Sequence, residues 1–439
     1  MDSDTSTTLN TRCCVAGGGP AGMMLGFLLA RAGVDVVVLE KHADFLRDFR
    51  GDTVHPSTLE VIYELGLIEE FLKRPHQELR EFSAQIGDEM IPVVDLTHLP
   101  THCKFLGFMP QWHFLDFIKE HAAHYPKFKL IMPAEVIDLI VDGNGIAGVK
   151  AKTPEGEIEV RAMLTVGADG RSSIVRERAD LRVESLGAPI DVLWFRVSRK
   201  PSDPAQVLGR FVPGKIMVML NRDEYWQCAF VIRKGAFEEV KRRGLEAFRS
   251  DIASIAPFLI DRVAEIQGWE PIKLLTVLVD RLRKWYRPGL LCIGDAAHAM
   301  SPVGGVGINL AIQDAVAAAN ILARPLSENY ISLSHLQKVQ WRREFPTRVT
   351  QWGQVQVQER VLSTVLGSQQ VRAPWFLRLF KTFPILRRIP ARLIGIGVRP
   401  EHVKTPDSST DYADYTDKNV SHKKAQEAQK GKAKPEPQQ

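Results

Sequence analysis

At 439 residues, 45% hydrophobic and 25% charged, the chain has room for two or three domains with proper cores, and global disorder is excluded. Its formal charge of +5 has a local origin: seven basic residues (Arg372, Arg378, Lys381, Arg387, Arg388, Arg392, Arg399) and no acid lie between Val371 and Pro400. Positive charge confined to one short stretch argues against a nucleic-acid-binding face. Five cysteines with no C-x-x-C pair argue against a disulfide scaffold and make a reducing cytoplasm the expected compartment.

The first ten residues, rich in Ser, Thr and Asp, predict a frayed terminus. Arg12–Ala16 then reads as a strand, Pro20–Ala32 as a helix and Val34–Leu39 as a buried β-branched strand, a βαβ opening. The uncharged run Cys13–Ala30 contains five glycines and Pro20, and Asp2 and Asp4 precede it, so neither a signal peptide nor a transmembrane helix is expected. Pro56–Leu65 predicts a helix closed by Gly66, and Gln111–Tyr125 a helix with Trp112, Leu115 and Ile118 on one apolar face. Between Glu135 and Gly167 the pattern becomes an antiparallel meander with turns at Asp142–Gly145 and Thr153–Gly156.

Lys215–Leu220 and Tyr225–Ile232 predict a hairpin that puts Trp226, Cys228 and Phe230 on one face. That face, with Met219 and Tyr225, suits a substrate chamber or plain core equally. Helical periodicity covers Ala236–Ile255; a short strand at Leu290–Ile293 and a helix at Ile308–Leu322 flank a glycine-rich turn. From Glu401 onward there is little to bury, and a disordered tail is expected over 401–439.

βαβ units interrupted by antiparallel strands and resumed near residue 290 predict an α/β fold with an α+β insertion. The expected boundaries are a discontinuous dinucleotide-binding domain over 11–80, 111–185 and 285–365, an inserted antiparallel domain over 81–110 and 186–284, and a basic amphipathic segment over 366–400.

Three motifs carry the chemistry. Gly17-Gly18-Gly19-Pro20-Ala21-Gly22 fits G-x-G-x-x-G between a strand and a helix, with Glu40 eighteen residues beyond Gly22. Small residues admit a pyrophosphate to the helix N-terminus, and the acid can accept from ribose hydroxyls. Gly143-x-Gly145-x-x-Gly148 matches the same pattern but leads into Val149-Lys150-Ala151-Lys152, which alternates like a strand, so it reads as a hairpin turn. The second motif is Gly167-Ala168-Asp169-Gly170-Arg171, after the strand Met163–Val166. The third is Gly294-Asp295, with Gly304-Gly305-Val306-Gly307 leading into the helix at Ile308.

The order and spacing of these motifs, with Gly294-Asp295-Ala296-Ala297-His298 and Pro302–Asn309, resemble the FAD-dependent aromatic hydroxylases of the p-hydroxybenzoate hydroxylase type, the class A flavoprotein monooxygenases, over roughly residues 11–325. The resemblance implies a Rossmann-like FAD-binding domain of the glutathione-reductase type with an inserted substrate domain. It places Gly17, Gly19, Pro20, Ala21, Gly22 and Glu40 on the ADP half of FAD. Arg50, Gln111 and Asp169 are implied as further contacts, Asp295 and Gly294 as holding the ribityl chain, and Val306, Gly307, Ile308 and Asn309 as lying against the flavin's pyrimidine edge. Pro302 is implied to line the face that reacts with oxygen.

The implied activity is an NAD(P)H-consuming hydroxylation of an aromatic or polyketide-like substrate through a flavin hydroperoxide, with NADPH or NADH docking transiently because only one dinucleotide motif is present. Arg171 and Arg176 are candidate helpers of that docking. Two rivals share the fold: a reductase or dehydrogenase of a lipophilic substrate without oxygen activation, and a flavoprotein that sequesters a hydrophobic ligand. Trp194-Phe195-Arg196 does not match the W-x-W-x-I-P stretch of flavin halogenases, so halogenation is disfavoured.

No metal site is expected: His121 and His124, spaced i, i+3, lack a third ligand nearby. His298 reads as a structural, hydrogen-bonded histidine, because the reaction needs no base at that point. A helical wheel from Trp375 gathers Trp375, Phe376, Leu379, Phe380 and Phe383 in one arc opposite Arg378 and Lys381, with Pro384 and Pro390 limiting helix length. Internal packing of that arc is expected first; a membrane-surface anchor or a lid over the chamber are the alternatives.

Overall fold

Val36, Val37, Val38 and Leu39 are all buried, the pattern of a strand covered on both faces inside a parallel sheet. The computed structural model describes residues 7–46, 53–204, 208–367 and 373–408, and in it this strand, β2 (Val36–Leu39), lies between β1 (Thr7–Ala16) and Phe128–Ile131. The sheet continues on the other side of β1 with Gly156–Gly167, Leu290–Cys292 and Tyr286–Arg287. Its pairings are parallel except at that last edge and where Gly156–Gly167 also closes the antiparallel meander with Gly145–Thr153 and Glu135–Asp142. The turn expected at Gly143–Gly148 lies in that meander. The N-terminal strand is longer than its sequence suggests: Thr7–Asn10, expected to fray, pair with Ile158–Arg161, because the long partner strand offers their backbone a ladder.

Helix α1 (Pro20–Arg31) has proline at its first turn, where no N–H is needed, and every residue from Ala21 to Ala30 is buried. α2 (Pro56–Glu64) ends before Gly66 at φ 77°, α3 (Gln111–Ala122) packs on α1 through Leu115 and Ile118 among others, and α4 (Ile174–Arg178) is a short turn capped by Ser173. α5 (Gly307–Ser327) lies against α1. It is long and apolar enough to cross a membrane, but most of its surface is buried here, as in a core helix.

Strands from two distant parts of the chain form a second, seven-stranded sheet: Glu81–Ile86 and β3 (Glu89–Asp95) join Ile190–Ser198, Leu208–Val212, Lys215–Asn221, Tyr225–Arg233 and Lys273–Leu275. The helical stretch expected over Ala236–Ile255 is broken at Gly244, whose φ of 88° ends one helix at Arg243 and starts the next at Leu245. Met219, Trp226, Cys228 and Phe230 pack with Phe248 and Ile252 of that second helix, so this face of the hairpin is core.

The Trp226 indole donates to Asp203, which also takes a two-pronged pair from Arg262 at 2.6 and 2.9 Å. Burial pushes the Asp203 carboxyl upward, but the bonds from Arg262, Lys200 N–H and Trp226 win and hold it down at about 2. Because the folded value lies below the unfolded one, this stabilisation is complete above about pH 4 and is lost as pH falls toward 2, about 2 kcal/mol in all. The stability difference between the wild type and Asp203→Asn, from urea melts, should shrink by about that amount between pH 5 and 2; a difference that stays constant would show that the pair is not linked to folding.

The 25-residue helix α6 (Leu333–Val357) has no counterpart in the sequence expectations. It is inside out. Gln340, Arg343, Thr347, Gln351 and Gln354 face the protein, while Trp341, Phe345 and Trp352 are 69%, 56% and 67% exposed. Its signals are the capping box Ser332-x-x-His335 and the amides of Gln340, Gln351 and Gln354 at helical spacing.

Beyond it, α7 (Trp375–Thr382) and α8 (Arg388–Gly395) pack on β3. The start of the segment expected to be disordered from Glu401 is ordered: residues 401–408 run back over the first βαβ unit, with Glu401 on Arg342 and Arg343, Val403 N–H on Glu64, and Arg31 on the Thr405 carbonyl and the Asp407 carboxylate. The rest of the tail lies outside the described residues.

Candidate functional site

Four parallel strands end at one level. Ala16 of β1 is in register with Leu39 of β2 on one side and with Gly167 on the other, and Gly167 with Cys292. The residues that follow, Gly17, Glu40, Ala168–Gly170 and Gly294–Asp295, therefore stand in a row at the carboxyl edge of the sheet, where open α/β sheets bind ligands.

Gly17 takes φ 105°, and a Cβ there would sit 2.4 Å from the Ala168 carbonyl oxygen, so the first and second motifs touch through a position only glycine fills. α1 starts at Pro20 with no side chain capping it and no acid in its first turn, leaving its first N–H groups for an external anion. Nothing stands within 4 Å of the place a Cβ would take on Gly19. Glu40 accepts from the Gly18 N–H at 2.9 Å and from His42 at 2.6 Å, which aims its carboxylate at the glycine loop. Asp169 accepts from the Val175 N–H through one oxygen; its other oxygen is buried without a hydrogen-bond partner among the described residues. Burial raises this carboxyl's pKa, opposed by its bonds to Ser173 and nearby N–H groups. An open glycine loop, a helix start free of acid and an orphaned buried acceptor fit a dinucleotide with hydroxyl donors.

Arg171 and Arg176 are tied into this edge. The Arg171 guanidinium pairs with Asp295 at 3.2 Å, while Arg176 donates to the Arg171 carbonyl and lies 3.5 Å from Asp280. Behind Asp295 is a buried chain of charge. Asp314 accepts from the Gly294 N–H at 3.0 Å, from His298 at 2.6 Å and from Arg343 at 2.9 Å, and Arg343 reaches Glu401 at 3.3 Å. Burial pushes the Asp314 carboxyl up, but His298 and Arg343 hold it below its ordinary value. His298 is thus structural, as its sequence context suggests, and packs against Trp285.

The loop from Asp280 to Val303 hangs on the amides of α6. Gln351 donates to the Asp280 and Ala299 carbonyls, and Gln354 donates to Ser301 and Val303 and accepts from the Ser301 N–H. Pro302 sits half-buried between these anchors. The next turn is fastened from the other side. Gly305, at φ 63°, presents its carbonyl to the Thr53 hydroxyl at 3.0 Å, and a Cβ there would overlap that hydroxyl at 2.4 Å. Asn309, named from sequence as a ligand contact, spends its side chain on the protein: it accepts from the His55 N–H and Thr58 hydroxyl and donates to the Thr53 and Gly305 carbonyls. Only its backbone, with those of Val306, Gly307 and Ile308, is left at the start of α5.

His55 was missed from sequence. It is fully buried beside this turn, with Nδ1 donating to the Ile394 carbonyl of α8 at 2.7 Å. Burial lowers its pKa to about 4, against the pull of the Ile394 and Gly305 carbonyls, so the ring is neutral at physiological pH. Gln111 opens α3 with a half-buried side chain. Arg50 lies outside the described residues. Of the paired histidines, His121 is buried and meets Glu70 at 3.4 Å.

Comparison with known proteins agrees with this geometry. The FAD binding domain family matches residues 10–353. The 6-methylpretetramide 4-monooxygenase of Streptomyces rimosus is 30% identical over 388 residues, 88% of this chain and 92% of its own length. Among solved structures, p-nitrophenol 4-monooxygenase from Pseudomonas putida superposes with a TM-score of 0.71 at 20% identity, covering 88% of this chain and 97% of that one. The myxobacterial chondrochloren halogenase superposes at 0.70 and 19% identity, again over 88% and 97%; at such identities the likeness is one of fold. The chain belongs to the FAD binding domain family and, within it, to the FAD-dependent aromatic hydroxylases, the class A flavoprotein monooxygenases.

Proposed function

We propose that this enzyme hydroxylates an electron-rich aromatic or polyketide-like molecule, with FAD laid along the row of strand ends and NAD(P)H visiting as reductant. The level register of Ala16, Gly167 and Cys292, which lines up three motif loops, is the observation that carries this reading. In it Gly17, Gly19, Pro20, Ala21 and Gly22 admit the pyrophosphate to the start of α1, Glu40 accepts from the adenosine ribose, and Asp169 and Asp295 take ribityl hydroxyls, with Gly294 setting the approach. Gln111 and Arg50 are further contacts. The backbone of Val306, Gly307, Ile308 and Asn309 faces the pyrimidine edge, where a helix start favours the negative charge of the reduced ring. Pro302 lines the oxygen-reacting side.

FAD, when bound, supplies the electron transfer and oxygen activation. The chain's own work is to position and to exclude water. Arg171 orients Asp295, the amides of α6 hold the loop carrying Pro302, and Thr53 and Asn309 hold the turn before α5. The sheet that carries Trp194, Val218 and Leu220 on the face away from Trp226 is the substrate side, as an insertion into a flavin domain of the glutathione-reductase type.

Asp295→Ala should weaken FAD retention about tenfold to hundredfold, the loss of one charge-assisted hydrogen bond, read by flavin absorbance after dialysis; unchanged retention would remove Asp295 from the site. The function is tested by following oxygen and NAD(P)H consumption across a panel of aromatic compounds. Substrate should stimulate oxidation strongly and yield one hydroxylated product per oxygen. Full-rate oxidation without any substrate, or turnover that uses no oxygen, would sink the reading in favour of a reductase.

A further inference from the structure

An amphipathic helix that packs on its own protein normally buries its apolar side; α7 and the turn after it leave part of theirs in water. Arg378 and Lys381 pair at the surface with Glu89 of β3, at 2.7 and 3.3 Å, and Leu377 packs on the small core beside it. Beside them Trp375 is 75% and Phe383 53% exposed. The next turn and helix repeat the arrangement. Ala391 and Ile394 of α8 pack against Leu96 and Leu99, whereas Ile385, Ile389 and Leu393 are 63%, 60% and 54% exposed, interleaved with exposed Arg388 and Arg392. No ion pair joins either arginine to a carboxylate among the described residues; the nearest influence is that of Arg388 on Asp95.

We infer that the outer face of α7 and α8 docks on an anionic lipid bilayer. Apolar side chains at helical spacing with arginines between them gain on such a surface both from burial among acyl chains and from attraction to phosphates. Charge complementarity selects this occupant: a two-fold second copy would bring Arg388 and Arg392 toward their own equivalents. The chain leaving α8 sets the Arg399 guanidinium 5.2 Å from the exposed Trp341 ring of α6. Leu377, Ala391 and Ile394 seat the helices on the protein, so the apolar face is presented without unfolding anything.

The test is co-sedimentation of full-length, FAD-loaded protein with vesicles of phosphatidylcholine alone or mixed with phosphatidylglycerol, at low and high salt. The wild type should pellet with the anionic vesicles and be released by salt. Arg388→Glu and Arg392→Glu should each lower the partition roughly fivefold or more, and Ile389→Asp with Leu393→Asp should abolish it, with flavin absorbance and circular dichroism unchanged. The inference is independent of substrate identity, since the readout is partition and not turnover. Absence of pelleting by the wild type, or equal pelleting by the variants, would overturn it. So would a dimer in sedimentation velocity that Ile389→Asp splits, which would identify a second copy as the true occupant.

Discussion

Arg343→Met should cost about 3–5 kcal/mol of stability, the penalty for stranding a buried charge, and should loosen FAD without touching any residue that faces it. Arg343 is 1% exposed and stands between the Asp314 and Glu401 carboxylates. Its loss leaves Asp314 with His298 and the Gly294 N–H alone, and Glu401 with Arg342. Urea denaturation with the flavin signal as a second probe measures both effects. A variant as stable as the wild type would mean that the chain of charge relaxes by admitting water. Asp314→Asn gives the complementary reading: the hydrogen bonds to His298 and Gly294 can survive, but the charge that Arg343 needs is gone.

Gly17→Ala should be equally severe for a different reason. The new methyl must occupy a backbone angle of 105° that non-glycine residues rarely adopt, and it meets the Ala168 carbonyl oxygen at 2.4 Å. Strain and overlap together amount to about 2–6 kcal/mol. The neighbour that must give way is the backbone of the second motif, so the prepared protein should be colourless even where it folds. Stoichiometric yellow protein from Gly17→Ala would show that the two loops have slack between them.

The parts of this molecule that could be read from sequence are those built by burying oil or by backbone angles. β2, α1, α3 and the glycine turns announce themselves through apolar period or through residues that cannot be replaced. α6 could not be read, because much of its buried face is glutamines that bond to backbone groups of other segments, an arginine that pairs with buried carboxylates and a threonine, and three of its aromatics face out. Periodicity scores water-seeking side chains as exposed and cannot know that Asp280, Ala299 and Ser301 wait for them. The same blindness hid His55 and the bonds of the Asn309 side chain to His55, Thr58 and Thr53. Nor could periodicity foresee that Glu89, a distant residue in sequence, pairs with Arg378 and Lys381 while Trp375 and Phe383 stay exposed. The tail boundary failed for a related reason: residues 401–408 are held by Arg31, Glu64, Asn320 and Arg342, partners whose availability is set by the fold and not by the tail's own composition.

The register that lines up Ala16, Gly167 and Cys292 also sets a timetable for synthesis. β1 leaves the ribosome early, yet its partner at Gly156–Gly167 comes about 150 residues later and the strand Leu290–Cys292 later still. The Gly294 N–H that Asp314 holds, and the Arg343 that holds Asp314, follow in turn. A nascent chain therefore carries its first glycine loop for most of translation with no finished edge to place it on. The edge is complete only once Arg343 has been made, long after its first glycine loop has left the ribosome.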